Sequence, residues 1–167
     1  MRKVHRIFFF LFSCIWLPAC GQKTFDEKME SLYRYTVPVI QANNLKDLLA
    51  KEKVYVLDTR TPEEFGISHI AGARLIDFDN FKISMVQEIP KDAEVVVYCS
   101  VGYRSERIGE ALQAAGYQHV SNLYGGIFNW KNKGNTIYNK NNLPTDSVHT
   151  YNRNWSQWLY NGIKVYE

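Results

Sequence analysis

The most constraining stretch of this sequence is Glu94-Val95-Val96-Val97-Tyr98, an apolar, β-branched run that stops abruptly at Cys99-Ser100-Val101-Gly102. Such a run, with no alternating polar positions, predicts a strand buried on both faces. It sits in a repeated alternation of short strand and helix signals. Strands are predicted over residues 36–40, 53–58, 73–77, 94–98 and 119–124. Helices are predicted over 44–52 with Asn44 as N-cap, from Thr61-Pro62 to about Ser68, and over 104–115 and 126–133. A further helix is predicted over 79–89, because Phe81, Met85 and Ile89 recur every four residues. Connections this short between alternating strands and helices imply an α/β fold, a parallel sheet with helices on both faces. Functional loops in such sheets lie at the carboxyl ends of the strands, and Cys99 directly follows the best strand.

The amino terminus carries a different message. Residues 1–6 are basic, and residues 7–17 form an uncharged run of eleven, too short for the ~20 residues of a membrane-spanning helix. A basic start, a short apolar stretch and small residues at its end predict a signal peptide over 1–19. Leu17-Pro18-Ala19-Cys20 resembles a bacterial lipobox, which implies cleavage before Cys20 and lipid attachment to its sulfur. The expected product is an exported lipoprotein anchored in the cell envelope, with residues 20–35 as a tether and amino-terminal segment. Arg2, Lys3 and Arg6 lie in the discarded piece, which holds no acid, so removing it cancels the whole formal charge of +3. A neutral mature chain offers no electrostatic footprint for nucleic acid. Of the three cysteines, Cys14 is discarded and Cys20 is blocked, which leaves Cys99 as the one free thiol. Disulfide exchange through a resolving cysteine is thereby excluded.

Between strand end and helix start, Cys99 faces unpaired amides and the positive end of a helix dipole. That setting favours a nucleophilic thiolate. Gly102 lets the loop curl its amides inward as an anion nest, and Arg104 adds a positive fork for an oxyanion. On the residues alone, a buried inert cysteine followed by a surface turn fits equally well.

The stretch Val95 to Ser105 resembles the active-site loop of rhodanese-domain sulfurtransferases, roughly C-x-x-G-x-R-S. Two more blocks agree in order and spacing. They are Leu57 to Phe65 followed by His69-Ile70-Ala71-Gly72-Ala73, and Leu123-Tyr124-Gly125-Gly126 followed by Trp130. Ser68 and Ala71 depart from the glycine and proline common in the family. The resemblance spans residues 36–134 and implies a five-stranded parallel sheet. It also implies ping-pong transfer of sulfane sulfur from thiosulfate or a persulfide to cyanide or a thiol through a Cys99 persulfide. Cys99 and Arg104 would be catalytic, with Ser100, Val101, Gly102, Tyr103 and Ser105 around the substrate, and no metal or organic cofactor is required. The donor and acceptor are small molecules or protein-bound sulfur, and the membrane is a partner only through the lipid. Phosphatases and arsenate reductases place five residues between cysteine and arginine, which would put arginine where this chain has Ser105. A non-catalytic or sulfur-sensing binding module at the envelope is the alternative, though such modules commonly lose the cysteine.

The resemblance implies an ion-pair network of Asp58, Arg60 and Glu64 holding the strand-to-helix turn, against acid–base catalysis by the same groups. It makes His69 structural, against a general base for Cys99. His119 and His149 have no partner at metal spacing, and Gly125-Gly126 suits a tight turn better than a phosphate loop. Residues 135–167 form an aromatic extension beyond the family's usual end. Trp155, Trp158 and Leu159 are expected on one helical face packed against the domain, with a partner surface or an active-site lid as alternatives. The chemistry is expected to be complete by Gly134.

Overall fold

The computed structural model describes residues 24–51 and 53–166. The expected signal peptide and the lipid site at Cys20 lie outside the described residues. Five strands form one parallel sheet in the order β1-β5-β4-β2-β3. They are β1 (Val39–Ile40), β2 (Tyr55–Asp58), β3 (Arg74–Leu75), β4 (Glu94–Tyr98) and β5 (His119–Leu123). The central β4 carries both cores. Val95 and Val97 face one side, with Leu57 and Val120. Val96 and Tyr98 face the other, with Val56 and Leu123. The period of two along a strand produces this division.

Helix α4 (Tyr103–Ala114) covers the first face with Ile108 and Leu112. Helices α2 (Ala42–Ala50) and α5 (Gly126–Asn132) cover the second, through Leu45 and through Ile127, Phe128 and Trp130. Between β2 and β3, α3 (Pro62–Ile67) begins as its sequence dictates. Thr61 is the N-cap and Pro62 the first helical residue, and Glu64 closes a capping box with Thr61.

Two local expectations need correction. Helix α2 starts at Ala42 with Gln41 as its uncapped N-cap position, so Asn44 lies inside the first turn. Burial of Ala42 beside Leu45 outweighs the capping preference of an asparagine. The segment 79–89 forms two 3-10 turns, Phe78–Asn80 and Ile83–Val86, instead of one α-helix. Asp77 binds the Asp79 amide and the Asn80 side chain, which tightens the chain locally. The four-residue recurrence then fails: Val86 and Ile89 are buried and Met85 is exposed.

Larger differences lie at the two ends. From Thr24 onward the expected tether is structured. Helix α1 (Phe25–Glu30) has a Thr24/Glu27 capping box and buries Met29, and Tyr33 just beyond it is also buried. The carboxyl-terminal extension forms a β6 (Ile137–Tyr138)–β7 (Pro144–Thr145) pair and a parallel β8 (Ser147–His149)–β9 (Ile163–Val165) pair. Between the latter two lies α6 (Arg153–Ser156). This helix is too short to align Trp155, Trp158 and Leu159 on one face. Trp158 and Leu159 instead lie past its end, buried with Ile137 and Val148 in the same core as α2 and α5. The two ends meet: the Phe25 ring contacts Trp158 at 6.3 Å and Tyr160 at 6.1 Å, edge to face.

Candidate active site

Cys99 follows the last residue of β4 and is nearly inaccessible, at 2% exposure. Gly102 adopts φ +102, a left-handed conformation that folds the loop back on itself. Its N–H then donates to Cys99 Sγ at 3.1 Å. The loop is pinned from behind by α5, whose first amides, of Ile127 and Phe128, donate to the carbonyls of Cys99 and Ser100 at 2.9 and 3.1 Å. Gly125 and Gly126 both take positive φ to start α5 there. A Cβ on Gly126 would lie 2.2 Å from the Cys99 carbonyl oxygen. The close approach therefore demands glycine.

Tyr33, from the amino-terminal segment, clamps the same loop. Its hydroxyl donates to the Val101 carbonyl at 2.6 Å and accepts from the Gly125 N–H at 2.8 Å. Burial, the largest influence, raises its pKa well above that of an ordinary tyrosine, so the donor is permanent. Asn122 on β5 supports the other flank by donating to the Gly102 carbonyl at 2.9 Å.

Arg104 lies on the first turn of α4, but its fork is occupied. Both terminal nitrogens donate to the Glu64 carboxylate at 2.8 Å. Ser100 Oγ donates to the same carboxylate at 2.8 Å and accepts from Arg104 at 3.1 Å. Burial works to raise the Glu64 pKa; the hydrogen bonds and charge of Arg104, the charge of Arg60 and the Thr61 amide overcome it and hold the group at about 2. Glu64 therefore belongs to the cysteine loop and not to an ion pair with Asp58 and Arg60.

Asp58 and Arg60 form a fully buried ion pair at 2.6 Å, and Arg60 continues to the Ser68 carbonyl. The pair and the Ser68 carbonyl tie the two ends of the β2–α3 segment together. Ser105, expected at the substrate, is buried and donates to Asn122 at 2.8 Å. His69 stacks on Phe65 at 4.2 Å, and its backbone pairs with Tyr138. Those contacts give it a packing role at the β6 edge.

A cavity of about 480 Å³ opens over Cys99. Cys99, Ser100 and Val101 form its floor, with Arg104 and Thr61 beside them. Leu32, Phe78, Tyr103, Tyr151 and Trp155 form its walls. Leu32 and Tyr33 were not expected at the site, and Tyr151 and Trp155 only under the alternative of an active-site lid. A signal for Tyr33 existed: Phe25, Met29 and Tyr33 recur every four residues behind a Thr-x-x-Glu capping box. Nothing local marks Tyr151.

The loop geometry, a cysteine at a strand end cradled by a glycine-turned helix start, is suited to hold an anion or a charged sulfur. A match to the rhodanese-like domain over residues 41–133, more than half of the sequence, identifies the family: the chain belongs to the rhodanese-like domain proteins. A sulfurtransferase of Allochromatium vinosum is 40% identical over 96 residues, covering 57% of this chain and 89% of that protein. The tRNA uridine(34) hydroxylase of Listeria monocytogenes serotype 4a is 34% identical over 93 residues, but the chain spans only 29% of its length. Among solved structures, a rhodanese-like domain protein from Staphylococcus aureus aligns with a TM-score of 0.54 at 30% identity, over 62% of this chain and 98% of that one.

Proposed function

We propose that this protein is a sulfurtransferase that carries sulfane sulfur on Cys99, and that it works as a lipoprotein of the cell envelope anchored through Cys20. The observation that carries the enzymatic reading is the placement of Cys99 Sγ beneath an open cavity, within 3.1 Å of the Gly102 N–H at the start of α4. That amide and the helix end stabilise negative charge on the sulfur.

In the first half-reaction the Cys99 thiolate attacks the outer sulfur of the donor. With thiosulfate, the Cys99–sulfur bond forms, the sulfur–sulfur bond of the donor breaks, and sulfite leaves with the bonding pair. Cys99 is left as a persulfide anion, and no net oxidation occurs. An acceptor nucleophile, cyanide or a thiolate, then takes the terminal sulfur and restores the thiolate. The amides of the first turn of α4, which have no partner within the helix, are available to the terminal sulfur. The similarity to the Allochromatium sulfurtransferase, which extends over most of that protein, supports this reading.

Intact mass spectrometry tests it. Treatment with thiosulfate or a persulfide is expected to add one sulfur, and cyanide to remove it. In Cys99→Ser, where a hydroxyl cannot carry a persulfide, neither change is expected. Sulfur uptake by that variant would refute Cys99 as the carrier.

A further inference from the structure

We infer that the compound exchanging sulfur with Cys99 is an organic persulfide or thiol with an apolar, ring-sized body, selected by Tyr151 and Trp155 of the carboxyl-terminal extension. The inference rests on the sulfurtransferase reading and gives it a substrate class. A small dianion is held more tightly where a free cation joins the loop amides. Among the described residues the single cation lining the cavity is Arg104, and both its terminal nitrogens are held by Glu64. Among the described lining residues the one carboxylate is Asp79, which repels an anion. The walls instead offer Leu32, Phe78, Tyr103, Tyr151 and Trp155, and about 480 Å³ is the size of an ordinary small-molecule pocket.

The wall from the extension is built to stay in place. The Asn152 side chain accepts from the Asn154 and Trp155 amides and starts α6. Lys28 lays its ammonium 5.0 Å from the centre of the Trp155 ring. Trp158 and Leu159 anchor the following residues in the core, and Asn132 donates to the Trp158 carbonyl at 2.9 Å. Tyr151 is 57% exposed and holds φ +64, a left-handed conformation rare for an aromatic residue. Its amide donates to His149 Nδ1 at 3.2 Å. A strained backbone thus presents an exposed ring at the mouth of the cavity, where its packing surface is free for a ligand.

The reaction balances without an added oxidant. The Cys99 thiolate attacks the outer sulfur of R–S–SH, a Cys99 sulfur–sulfur bond forms as the donor's sulfur–sulfur bond breaks, and R–S⁻ departs with the pair to leave Cys99–S–SH. A second thiolate reverses the step.

The test measures the rate at which Cys99 of the full-length chain gains one sulfur, by rapid quench and intact mass spectrometry. The donors are benzyl persulfide, 2-hydroxyethyl persulfide and thiosulfate; the two organic donors release thiols of similar basicity. Benzyl persulfide is expected to load faster than 2-hydroxyethyl persulfide by about tenfold, the discrimination typical of one apolar contact. Tyr151→Ser and Trp155→Ala are each expected to bring that ratio toward one. Because Tyr151 is mostly exposed, its variant keeps the test valid should Trp155→Ala fail to fold. A ratio near one in the parent protein, or an unchanged ratio in Tyr151→Ser, would overturn the inference while leaving sulfur transfer intact. Failure of every donor to load Cys99 would overturn the sulfurtransferase reading itself.

Discussion

Replacing Glu64 with glutamine keeps the shape of the side chain and removes the charge that holds Arg104 and Ser100 around the cysteine loop. Glu64 is 1% exposed. Its carboxyl moves from 4.5 to about 2 on folding, against the cost of burial and through Arg104, Arg60 and the Thr61 amide. A change of that size is worth ~3 kcal/mol. The sign follows from linkage: the folded state holds the proton less tightly than the unfolded chain. Its contribution is therefore complete above pH 4.5 and is lost as the pH falls from 4.5 toward 2. Glu64→Gln should accordingly be less stable than the parent by ~3 kcal/mol at pH 7, or roughly 6–12 °C in Tm. The gap should shrink to less than ~1 kcal/mol near pH 2. Denaturant unfolding of both proteins at pH 7, 5, 3.5 and 2 measures it. A gap of constant size across that range would refute the linkage argument, and no gap at pH 7 would refute the ion pair as a source of stability.

Gly102→Ala should destroy the loop, because its Cβ would lie 2.0 Å from Tyr33 Oη on a backbone at φ +102; persulfide loading at wild-type rate in this variant would contradict the geometry. Truncation after Gly134 removes Ile137, Val148, Trp158 and Leu159 from the core. At ~1.5–3 kcal/mol each this consumes most or all of a typical 5–15 kcal/mol stability. The fragment should show no cooperative melt, and a melt near the parent Tm would show that the extension is dispensable. Cys20→Ala should abolish membrane fractionation of the expressed protein while the purified chain still loads sulfur on Cys99; fractionation identical to the parent would rule out the lipid anchor.

Much of the fold was legible because its signals are local. The run Glu94–Tyr98 predicts a central strand because every residue in it can be buried. Thr61-Pro62 predicts the start of α3 because capping involves only neighbours in the chain. The position of Cys99 at a strand end, ahead of a glycine and a helix, is legible for the same reason. Periodicity misled at 79–89, where Asp77 caps a tighter turn, and at Trp155 to Leu159, where α6 ends too early for the residues to share a face.

The sequence by itself therefore determined the βα alternation, the five strands and the position of Cys99 at the end of β4. Only the tertiary structure decided what surrounds that cysteine. Glu64 is forty positions from Arg104 yet takes its fork, because both side chains converge above the carboxyl ends of adjacent parallel strands, β2 and β4. Tyr33 bonds to residues 68 and 92 positions away, and Trp155 closes a wall over a loop more than fifty residues earlier. Capping and periodicity describe a residue's relation to others a few positions distant. The partner of a buried charge and the wall of a cavity are set by which distant segments the packed sheet brings together.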